Sequence, residues 1–506
     1  MDSLKTLQSE RNLAHVKKKS RARQRAQATK LIFQATHGEN FTRLREWLLP
    51  SSDIFAHLSL HGNTKWQPLN LIWLALLWAW SDQRNLTDAF ASALEQSRAL
   101  LPGVAVSTYQ GLMNALVKWT SKLIPLLCQV LQRCMQQLGR HWRTGGWLLL
   151  AMDGFRSDAP RTRSNEAAFC AKNYGKGKRA KYGKKKSKGM RRKRNQENPP
   201  HPQGPQVWVT MIWHMALRLP WLWRSGPSNS SERHQAMAMI ERGKYPENTL
   251  FCADAGFVGF PLWSHLLQAG CDFLVRVGAN VSLLSEHTKY HFEKVGSEGI
   301  VLCWPRAARK SAQAPLRLRL MRIRLGKTEM WLLTSVLEPT RLTLEQAEPF
   351  YRMRWGVEVE IRGLKQTLDR AKLRCRDSHR LRAELDWSIL AMAVAELFAL
   401  KEQLAVKQVK RQGKKQKSDP AHRSLAQTMR ALRECLRLPN EVPVPGRDLS
   451  TLLREAVTDD YVRQADKRAR YRPKNPDKKP LGNPKLQRIA RTVQKELNAF
   501  EAANAA

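Results

Sequence analysis

Two short, uninterrupted apolar runs, each followed at once by an aspartate, constrain the fold of this chain most strongly. Residues 147–152 precede Asp153, and residues 249–253 precede Asp254. Strands that are apolar along their whole length are typical of sheets covered by helices on both faces, so the two runs predict an α/β fold. Because ligand groups gather at the carboxyl ends of such strands, the aspartates are expected to lie together. Each aspartate alone is more simply explained as a turn cap.

A later segment predicts one helix with a polar stripe. Four polar residues stand at offsets of three, four and seven: Tyr351, Arg354, Glu358 and Lys365. On an α-helix, which turns by about 100° per residue, these offsets fall within a wedge of roughly 60°. An apolar stripe on the same helix would face a core. Its members are Val357, Ile361, Leu364 and Leu368. Arg354 and Glu358 are also spaced as an ordinary surface ion pair, worth about 0.3–0.5 kcal/mol.

The two aspartates and Glu358 would repel one another in a shared site unless a cation lay between them. Mg²⁺ prefers oxygen ligands, and two such ions about 3.5–4 Å apart can activate a water or a 3′-hydroxyl and stabilise the leaving oxygen. We therefore expect two divalent ions, Mg²⁺ or Mn²⁺, held by carboxylates. The eight cysteines and thirteen histidines form no CxxC or HExxH spacing, which argues against a zinc site.

The net charge of +44 is extreme and predicts a polyanionic partner, with nucleic acid favoured over a membrane surface. The longest apolar run, residues 69–80, is too short to span a bilayer and predicts a buried helix. The N-terminus is basic and lacks a signal peptide, so a cytoplasmic location is expected.

The pattern along the chain predicts four regions. Residues 1–30 form a basic arm, 31–145 a helical domain, 146–400 a core of alternating strands and helices, and 401–506 a basic helical C-terminal region. Short helices at 86–94 and 106–117, the second capped by Ser107 or Thr108, suit either a helix-turn-helix or a plain α-hairpin. Residues 172–194 predict a basic loop, and 280–340 a strand-rich segment in which the strand 316–324 carries arginines on its outer face.

Three features together resemble the IS4 family of bacterial DDE transposases. They are Asp153 after a first strand, Asp254-Ala-Gly-Phe257 after a later one, and the ungapped signature Tyr351-x2-Arg354-x3-Glu358-x6-Lys365. The resemblance covers about residues 147–400. It implies a ribonuclease-H-like mixed-sheet core with a strand-rich insertion, with a helical N-terminal DNA-binding region and a basic C-terminal tail. It also implies metal ligation by Asp153, Asp254 and Glu358, and phosphate contacts by Tyr351, Arg354 and Lys365. The basic loop at 172–194 departs from the tight connection that such a core normally has there.

The expected activity is DNA transposition: metal-dependent cleavage at the transposon end, then attack of the 3′-OH on target double-stranded DNA. A homodimer is expected when two ends are held in a synaptic complex. Trp304 or Trp331 would stack on a flipped base if a hairpin forms, although a core role is commoner for tryptophan. The alternatives are a catalytically inactive or repurposed DNA-binding protein derived from a transposase, and an ordinary ribonuclease-H-like nuclease.

Overall fold

The computed structural model describes most of the chain between residues 35 and 505. The described residues are 35–59, 64, 66–101, 103, 106–170, 204–287, 289–326, 328–405, 409–411, 414–416, 419–458 and 481–505. The predicted basic arm at 1–30 and basic loop at 172–194 lie outside them, as do residues 459–480 of the predicted basic C-terminal region.

A ten-stranded mixed sheet forms the centre of the molecule. Its strand order is β12-β6-β7-β8-β9-β5-β4-β1-β2-β3. The ten strands are β1 (Leu148–Asp158), β2 (Gln206–His214), β3 (Leu219–Gly226), β4 (Thr249–Ala253), β5 (Asp272–Val277), β6 (Ser282–Ser285), β7 (Glu298–Cys303), β8 (Leu316–Leu325), β9 (Thr328–Thr334) and β12 (Lys485–Arg488). A separate two-stranded ribbon consists of β10 (Val409–Arg411) and β11 (Lys414–Gln416).

Helices precede, interrupt and follow the sheet. Those before or within its first half are α1 (His37–Leu48), α2 (Pro68–Trp80), α3 (Leu86–Leu100), α4 (Tyr109–Gln137), α5 (Arg163–Phe169), α6 (Glu232–Arg242) and α7 (Phe260–Gln268). Those later in the chain are α8 (Arg306–Lys310), α9 (Leu344–Met353), α10 (Trp355–Gln366), α11 (Ser378–Ala405), α12 (Leu425–Arg437), α13 (Leu449–Glu455) and α14 (Arg491–Ala505). Short 3₁₀ turns lie at Asp53–Phe55, Gly139–His141, Lys289–Phe292 and Pro420–His422.

The mixed α/β fold is confirmed, and its strand arrangement is consistent with a ribonuclease-H-like core. Strands β1, β2 and β3 form an antiparallel meander, while β4 pairs parallel to β1 and β5 pairs parallel to β4. Four further strands from the predicted strand-rich segment, β6 to β9, extend the same sheet beyond β5. The insertion therefore widens the sheet instead of folding apart from it.

One strand boundary was predicted wrongly. The apolar run ends at Met152, but β1 continues to Asp158, so Asp153 lies inside the strand and not after it. The strand continues because β2 pairs with it in register throughout, as far as Asp158 opposite Gln206. Beyond Asp153 the burial of β1 alternates, which is the pattern of a strand with one covered face.

The predicted single helix is also wrong, because it is two helices that meet at Arg354. Helix α9 ends at Met353 and α10 begins at Trp355. The amide of Arg354 donates to Tyr351 O at 3.2 Å and its carbonyl accepts from Val357 N at 3.1 Å. These bonds span three residues instead of four, which is the tighter 3₁₀ pattern. The predicted apolar stripe is buried: Val357, Ile361 and Leu364 lie on α10, and Leu368 lies two residues beyond its end.

The N-terminal helices differ from prediction mainly in length. Helix α3 runs to Leu100, and α4 extends over 29 residues with Pro125 inside it. The predicted cap is confirmed, since the Thr108 hydroxyl accepts from Gly111 N at 3.1 Å. Helices α2 and α4 share a core with α11: Trp80 Nε1 donates to Ala391 O at 2.8 Å, and Trp387 Nε1 donates to Thr120 Oγ1 at 2.9 Å.

Strand β8 corrects the prediction that all its arginines face outward. Arg319 is only 1% exposed, because α9 packs over this part of the strand. Its guanidinium donates to Leu342 O and lies 3.7 Å from a carboxylate oxygen of Glu298. The two tryptophans considered for base stacking are buried: Trp304 Nε1 donates to Gln313 O, and Trp331 Nε1 donates to Asn483 Oδ1.

A buried arginine joins the C-terminal region to α10. Arg423 Nη2 lies 3.7 Å from Glu360 of α10 and 3.4 Å from Glu396 of α11. The same guanidinium donates to Leu217 O at 2.9 Å and to Arg218 O at 2.7 Å in the turn before β3. These contacts fix α10 against the sheet. None of the helices that the structure describes is long and apolar enough to cross a membrane.

Candidate active site

Strand pairing brings the two predicted aspartates to the same level of the sheet. Met152 of β1 pairs with Ala253, the last residue of β4, so Asp153 within β1 and Asp254 directly after β4 are the next residues along the two parallel strands. Each carboxylate is oriented by a nearby backbone amide. Asp153 Oδ1 accepts from Gly154 N at 2.8 Å, and Asp254 Oδ1 accepts from Gly256 N at 2.7 Å.

Arg354, at the junction of α9 and α10, links Asp153 to Glu358. Its Nη1 lies 3.6 Å from Asp153 Oδ2 and its Nη2 lies 3.7 Å from Glu358 Oε1. Both distances are ion pairs that exceed the length of a good hydrogen bond. The Arg354 side chain is 8% exposed, whereas that of Glu358 is 43% exposed. The structure thus brings Asp153, Asp254, Arg354 and Glu358 together beside the carboxyl end of β4, among the central strands of the sheet.

Tyr351 forms the buried wall behind Arg354. It is 2% exposed, and the Arg354 guanidinium lies 5.7 Å from its ring centroid. Burial raises the pKa of the Tyr351 phenol, although Arg354 and Arg276 act in the opposite direction. Burial acts to lower the pKa of Arg354, but Tyr351 and the nearby carboxylates raise it above its usual value. The Tyr351 ring therefore lies beside the Arg354 guanidinium on its interior side, and Tyr351 itself is not on the surface.

Lys365 lies further along β1 than the other members of the signature. Its Nζ is 5.5 Å from the ring centroid of Phe155. Partial burial lowers the pKa of Lys365, and Asp158 counteracts this. Since Phe155 and Asp153 face the same side of β1, Lys365 continues the line of polar groups that α10 lays over the strand.

Burial and the neighbours of Asp153 shift the pKa of its carboxyl group, some upward and some downward. Burial raises the pKa of the Asp153 carboxyl group. The Gly154 amide and Arg354 oppose this effect, whereas Asp254 and Glu358 add to it because like charges disfavour ionisation. A titratable group that is perturbed by both burial and neighbouring carboxylates is typical of functional sites.

The carboxylates suit an oxygen-preferring cation in chemistry, but they do not form a closed ligand set. In the part of the chain that the structure describes, no three His, Cys, Asp or Glu side chains are arranged to hold a metal ion. The carboxylates of Asp153 and Glu358 do not share an ion-binding space because the Arg354 guanidinium stands between them. Metal ligation by Asp153, Asp254 and Glu358 stays a prediction.

Sequence reasoning missed two residues beside the site. Glu232, the first residue of α6, has a carboxylate whose pKa is raised by burial and then by Asp153 and Asp254. A glutamate that follows a serine cap is an ordinary helix start, so nothing in the sequence distinguishes it. Trp355, next to Arg354, is 54% exposed. Its neighbours in sequence do not reveal on which side of α10 it lies.

The match to one family model supports a transposase function. The family model described as the transposase DDE domain matches residues 222–394, about a third of the chain. This segment includes Asp254 and the whole Tyr351–Lys365 signature, while Asp153 precedes it. Among solved structures, a cryo-EM structure of the piggyBac transposase synaptic complex with hairpin DNA matches with 13% identity, 84% of each chain covered and a TM-score of 0.37. No curated protein matches the chain.

Proposed function

We propose that this chain is the transposase of an insertion sequence, of the IS4 type, and that Asp153, Asp254 and Glu358 are its catalytic carboxylates. The observation that carries the proposal is the convergence of these residues around Arg354, although they come from β1, the end of β4 and α10. The match of residues 222–394 to the transposase DDE domain supports the same assignment.

The three carboxylates would hold divalent ions, Mg²⁺ or Mn²⁺, once DNA or the ions displace the loose contacts with Arg354. Two bound ions would activate a water or a 3′-OH and stabilise the leaving oxygen of a phosphodiester. Arg354, released from the carboxylates, would meet a phosphate oxygen with its planar donors. Tyr351 would keep its guanidinium oriented, and Lys365 would contact a phosphate further along the strand.

The charge of the whole chain supports DNA as the partner. A net charge of +44 would attract the duplex regardless of its sequence. The N-terminal helices of residues 31–145 and the basic C-terminal region of 401–506 are proposed to hold the transposon ends, with a homodimer joining two ends. Residues 146–400 would then carry the chemistry.

A strand-transfer assay with Mg²⁺ tests the proposal, using the full-length protein and DNA from both flanks of its gene, where short inverted repeats are expected. Glu358→Gln should abolish end cleavage and strand transfer while DNA binding persists. Glu348→Gln, on α9 and paired with Arg352, is the matched control and should cut like the parent. Equal cutting by Glu358→Gln and the parent would disprove the assignment.

A catalytically inactive DNA-binding protein derived from a transposase is the second candidate. The finding that favours it is the lack, within the described ranges, of three acidic or other ligating side chains already arranged for an ion. This candidate predicts that the parent protein binds the terminal repeats but neither cuts nor joins them at any Mg²⁺ or Mn²⁺ concentration. An ordinary nuclease would instead cut DNA without preference for the ends.

A further inference from the structure

Two arginines from outside α10 hold the back of this helix. Gly356 and Glu360 are four residues apart, so they lie one above the other on one face of α10. Arg218, in the turn between β2 and β3, packs against Gly356, and Arg423 pairs with Glu360 at 3.7 Å. Glu358 lies about 200° round the helix from Gly356. The two arginines therefore fix α10 from the side opposite its candidate catalytic glutamate.

The missing side chain of Gly356 leaves room for Arg218. A methyl group placed on Gly356 would lie 3.0 Å from Arg218 Nε and 3.6 Å from both Cδ and Cγ of the same side chain. A contact of 3.0 Å is tighter than nine in ten Cβ contacts in proteins, so the arginine would have to move. Glycine is a poor helix former. The close approach of Arg218 explains why a glycine stands in the first turn of α10.

Arg218 itself is held in an unusual backbone conformation. Its φ is 52°, in the left-handed region that favours glycine. Its Nη1 donates to Ala421 O at 2.9 Å, and its own carbonyl accepts from Arg423 Nη2 at 2.7 Å. Non-glycine residues persist in this region where the surrounding structure over-determines them, and such strain gathers at functional sites. The fold maintains this conformation against its strain, which points to a role for the Arg218 side chain.

The contacts of Arg218 connect the C-terminal region to the candidate site. Ala421 and Arg423 belong to the segment 419–424, which lies beyond α11 in the chain. Arg354 directly precedes α10, two residues before Gly356, and Glu358 lies two residues after it. A shift of this first turn would therefore move the arginine and the glutamate of the site together. A misplacement of about 1 Å in an active site can lower the rate by about 10².

We propose that Arg218 is a positioning residue for DNA cleavage: it braces the first turn of α10 from behind and so sets where Arg354 and Glu358 stand beside Asp153. The inference rests on the proposed function, because it concerns the same site. Arg218 does not touch the reacting groups and acts only through α10. Because Arg218 is bonded to the segment 419–424, the C-terminal region takes part in forming the site.

Cleavage kinetics of the full-length Arg218→Gly variant test the proposal, because glycine keeps the left-handed backbone and removes the side chain. We expect the single-turnover rate of end cleavage at saturating DNA to fall about tenfold or more. The DNA concentration that gives half of the maximal rate should stay that of the parent. Ala312→Gly is the matched control. Ala312 also has a positive φ, 50°, but it is exposed and follows α8, so this variant should cleave as the parent does.

Hydrogen exchange followed by mass spectrometry tests the positioning without DNA or metal ions. In Arg218→Gly, the amides of residues 354–360 should exchange faster than in the parent. The amides of β1 and β4 should exchange at the parent's rate. A side chain needed only for overall stability would speed exchange throughout the sheet as well.

Gly356→Ala tests the same contact from the side of the helix. Alanine favours a helix more than glycine does, but its methyl group would press on Arg218. We therefore expect Gly356→Ala to slow cleavage in the parent. It should have no further effect in Arg218→Gly, because the space that the arginine filled is then empty. Such non-additivity identifies a direct interaction between the two positions.

Three results would each overturn the inference: cleavage by Arg218→Gly at the parent's rate, faster exchange throughout the sheet in that variant, or an equal effect of Gly356→Ala with and without Arg218. The proposed function fails separately. If Glu358→Gln still cleaves transposon ends, the catalytic assignment is wrong whatever Arg218 does. If Glu358→Gln is inactive while Arg218→Gly behaves as the parent, only the positioning role of Arg218 is excluded.

Discussion

At the scale of single residues, Arg354 is the side chain on which the site is organised. Its Nη1 pairs with Asp153, its Nη2 pairs with Glu358, and its guanidinium lies close to the buried ring of Tyr351. A buried arginine that holds two carboxylates can exchange them for a phosphate, because all three offer oxygen acceptors to the same planar donors. If the proposed function is correct, Arg354 is the positive group that a phosphodiester would meet on entering the site.

Neutralising this group should affect chemistry more than binding. We expect Arg354→Gln to lower the rate of end cleavage by about 10²–10³, the usual cost of removing one preorganised donor. Lys365→Gln should act in the same direction. Bulk DNA affinity should change little in either variant, because it is spread over many cations. Cleavage assays and filter binding on the same DNA measure the two effects.

Arg352→Gln provides the control for this comparison. Arg352 lies two residues before Arg354, but its side chain is 61% exposed and paired with Glu348. The Arg352→Gln variant should cleave transposon ends and bind DNA as the parent does. Equal losses of cleavage and binding in Arg354→Gln would contradict a local role at the phosphate.

The titration of one carboxyl group, that of Asp386, predicts how the stability of the fold depends on pH. Its Oδ1 accepts from Trp223 Nε1 at 2.9 Å, and burial raises the pKa of its carboxyl group from 3.8 to about 6. A raised pKa in the folded state means that ionisation destabilises the fold. The contribution of this carboxyl to stability is thus fully present below pH 3.8 and is lost as the pH rises to about 6.

Asp386→Asn should remove this dependence, because the amide oxygen can still accept from Trp223 and carries no charge. At pH 7 the variant should be more stable than the parent by about 1–3 kcal/mol, and the advantage should vanish near pH 4. Denaturant unfolding of both proteins at the two pH values measures the difference. A difference that does not change with pH would show that Asp386 is not the titrating group.

The residues of the candidate site could be predicted only where they follow an apolar run or belong to a motif with fixed spacing. Asp153, Asp254 and Glu358 follow from apolar runs and from the Tyr351–Lys365 signature, and the structure places them together. Glu232 follows a serine at a helix start, which is a purely structural pattern. The proximity of Glu232 to Asp153 and Asp254 depends on how α6 packs on the sheet, which includes the Thr210–Gln235 hydrogen bond. That contact joins residues 25 positions apart, and no local pattern encodes it.

At the scale of secondary-structure elements, the differences from prediction have tertiary causes. Helical periodicity predicts one helix through Tyr351, Arg354 and Lys365, yet the chain tightens at Arg354 and turns its side chain towards β1. Likewise, the alternation of β8 predicts exposed arginines, but packing of α9 buries Arg319. Period and propensity describe an isolated element, whereas these two features depend on what packs against it.

The buried cluster of Arg423, Glu360 and Glu396 links elements that are distant in sequence. Both glutamates are nearly buried, and burial followed by the Glu360 charge raises the pKa of Glu396 despite the opposing effect of Arg423. Removing the arginine would leave two carboxylates facing each other in the interior. We expect Arg423→Met to cost about 3–5 kcal/mol of stability, as for other broken buried pairs.

Two variants sharpen this prediction in denaturant unfolding experiments. Adding Glu396→Gln to Arg423→Met should recover part of the loss, because it removes one of the buried charges. Arg437→Met, which breaks the exposed pair with Asp82, should cost about 1 kcal/mol or less. A similar cost for Arg423→Met and Arg437→Met would contradict a structural role for the cluster.

At the scale of the whole molecule, charge dominates. The chain has 87 lysines and arginines against 43 aspartates and glutamates. We expect DNA affinity to fall linearly with salt on logarithmic axes, by about 10³–10⁵ between 50 and 200 mM salt if six to ten phosphates are contacted. Fluorescence anisotropy with labelled duplex DNA measures the slope. An affinity that is independent of salt would contradict binding through the basic surface.

The overall class of the fold was predictable, whereas its extent was not. The apolar runs identify β1 and β4, and the strand-rich segment of 280–340 is confirmed as strands. That these strands continue the central sheet through β9 and β5 depends on pairing between residues about 60 positions apart, such as Val275 with Leu333. Such pairing depends on matched edges and connections that one-dimensional patterns do not record.

The last strand of the sheet has a consequence for shortened forms of the protein. Strand β12, Lys485–Arg488, pairs with β6 and covers what would otherwise be the free edge of the sheet. A product of early termination before residue 485 would leave the amides and carbonyls of β6 bare. Exposed edges recruit strands from other molecules, so such fragments should aggregate.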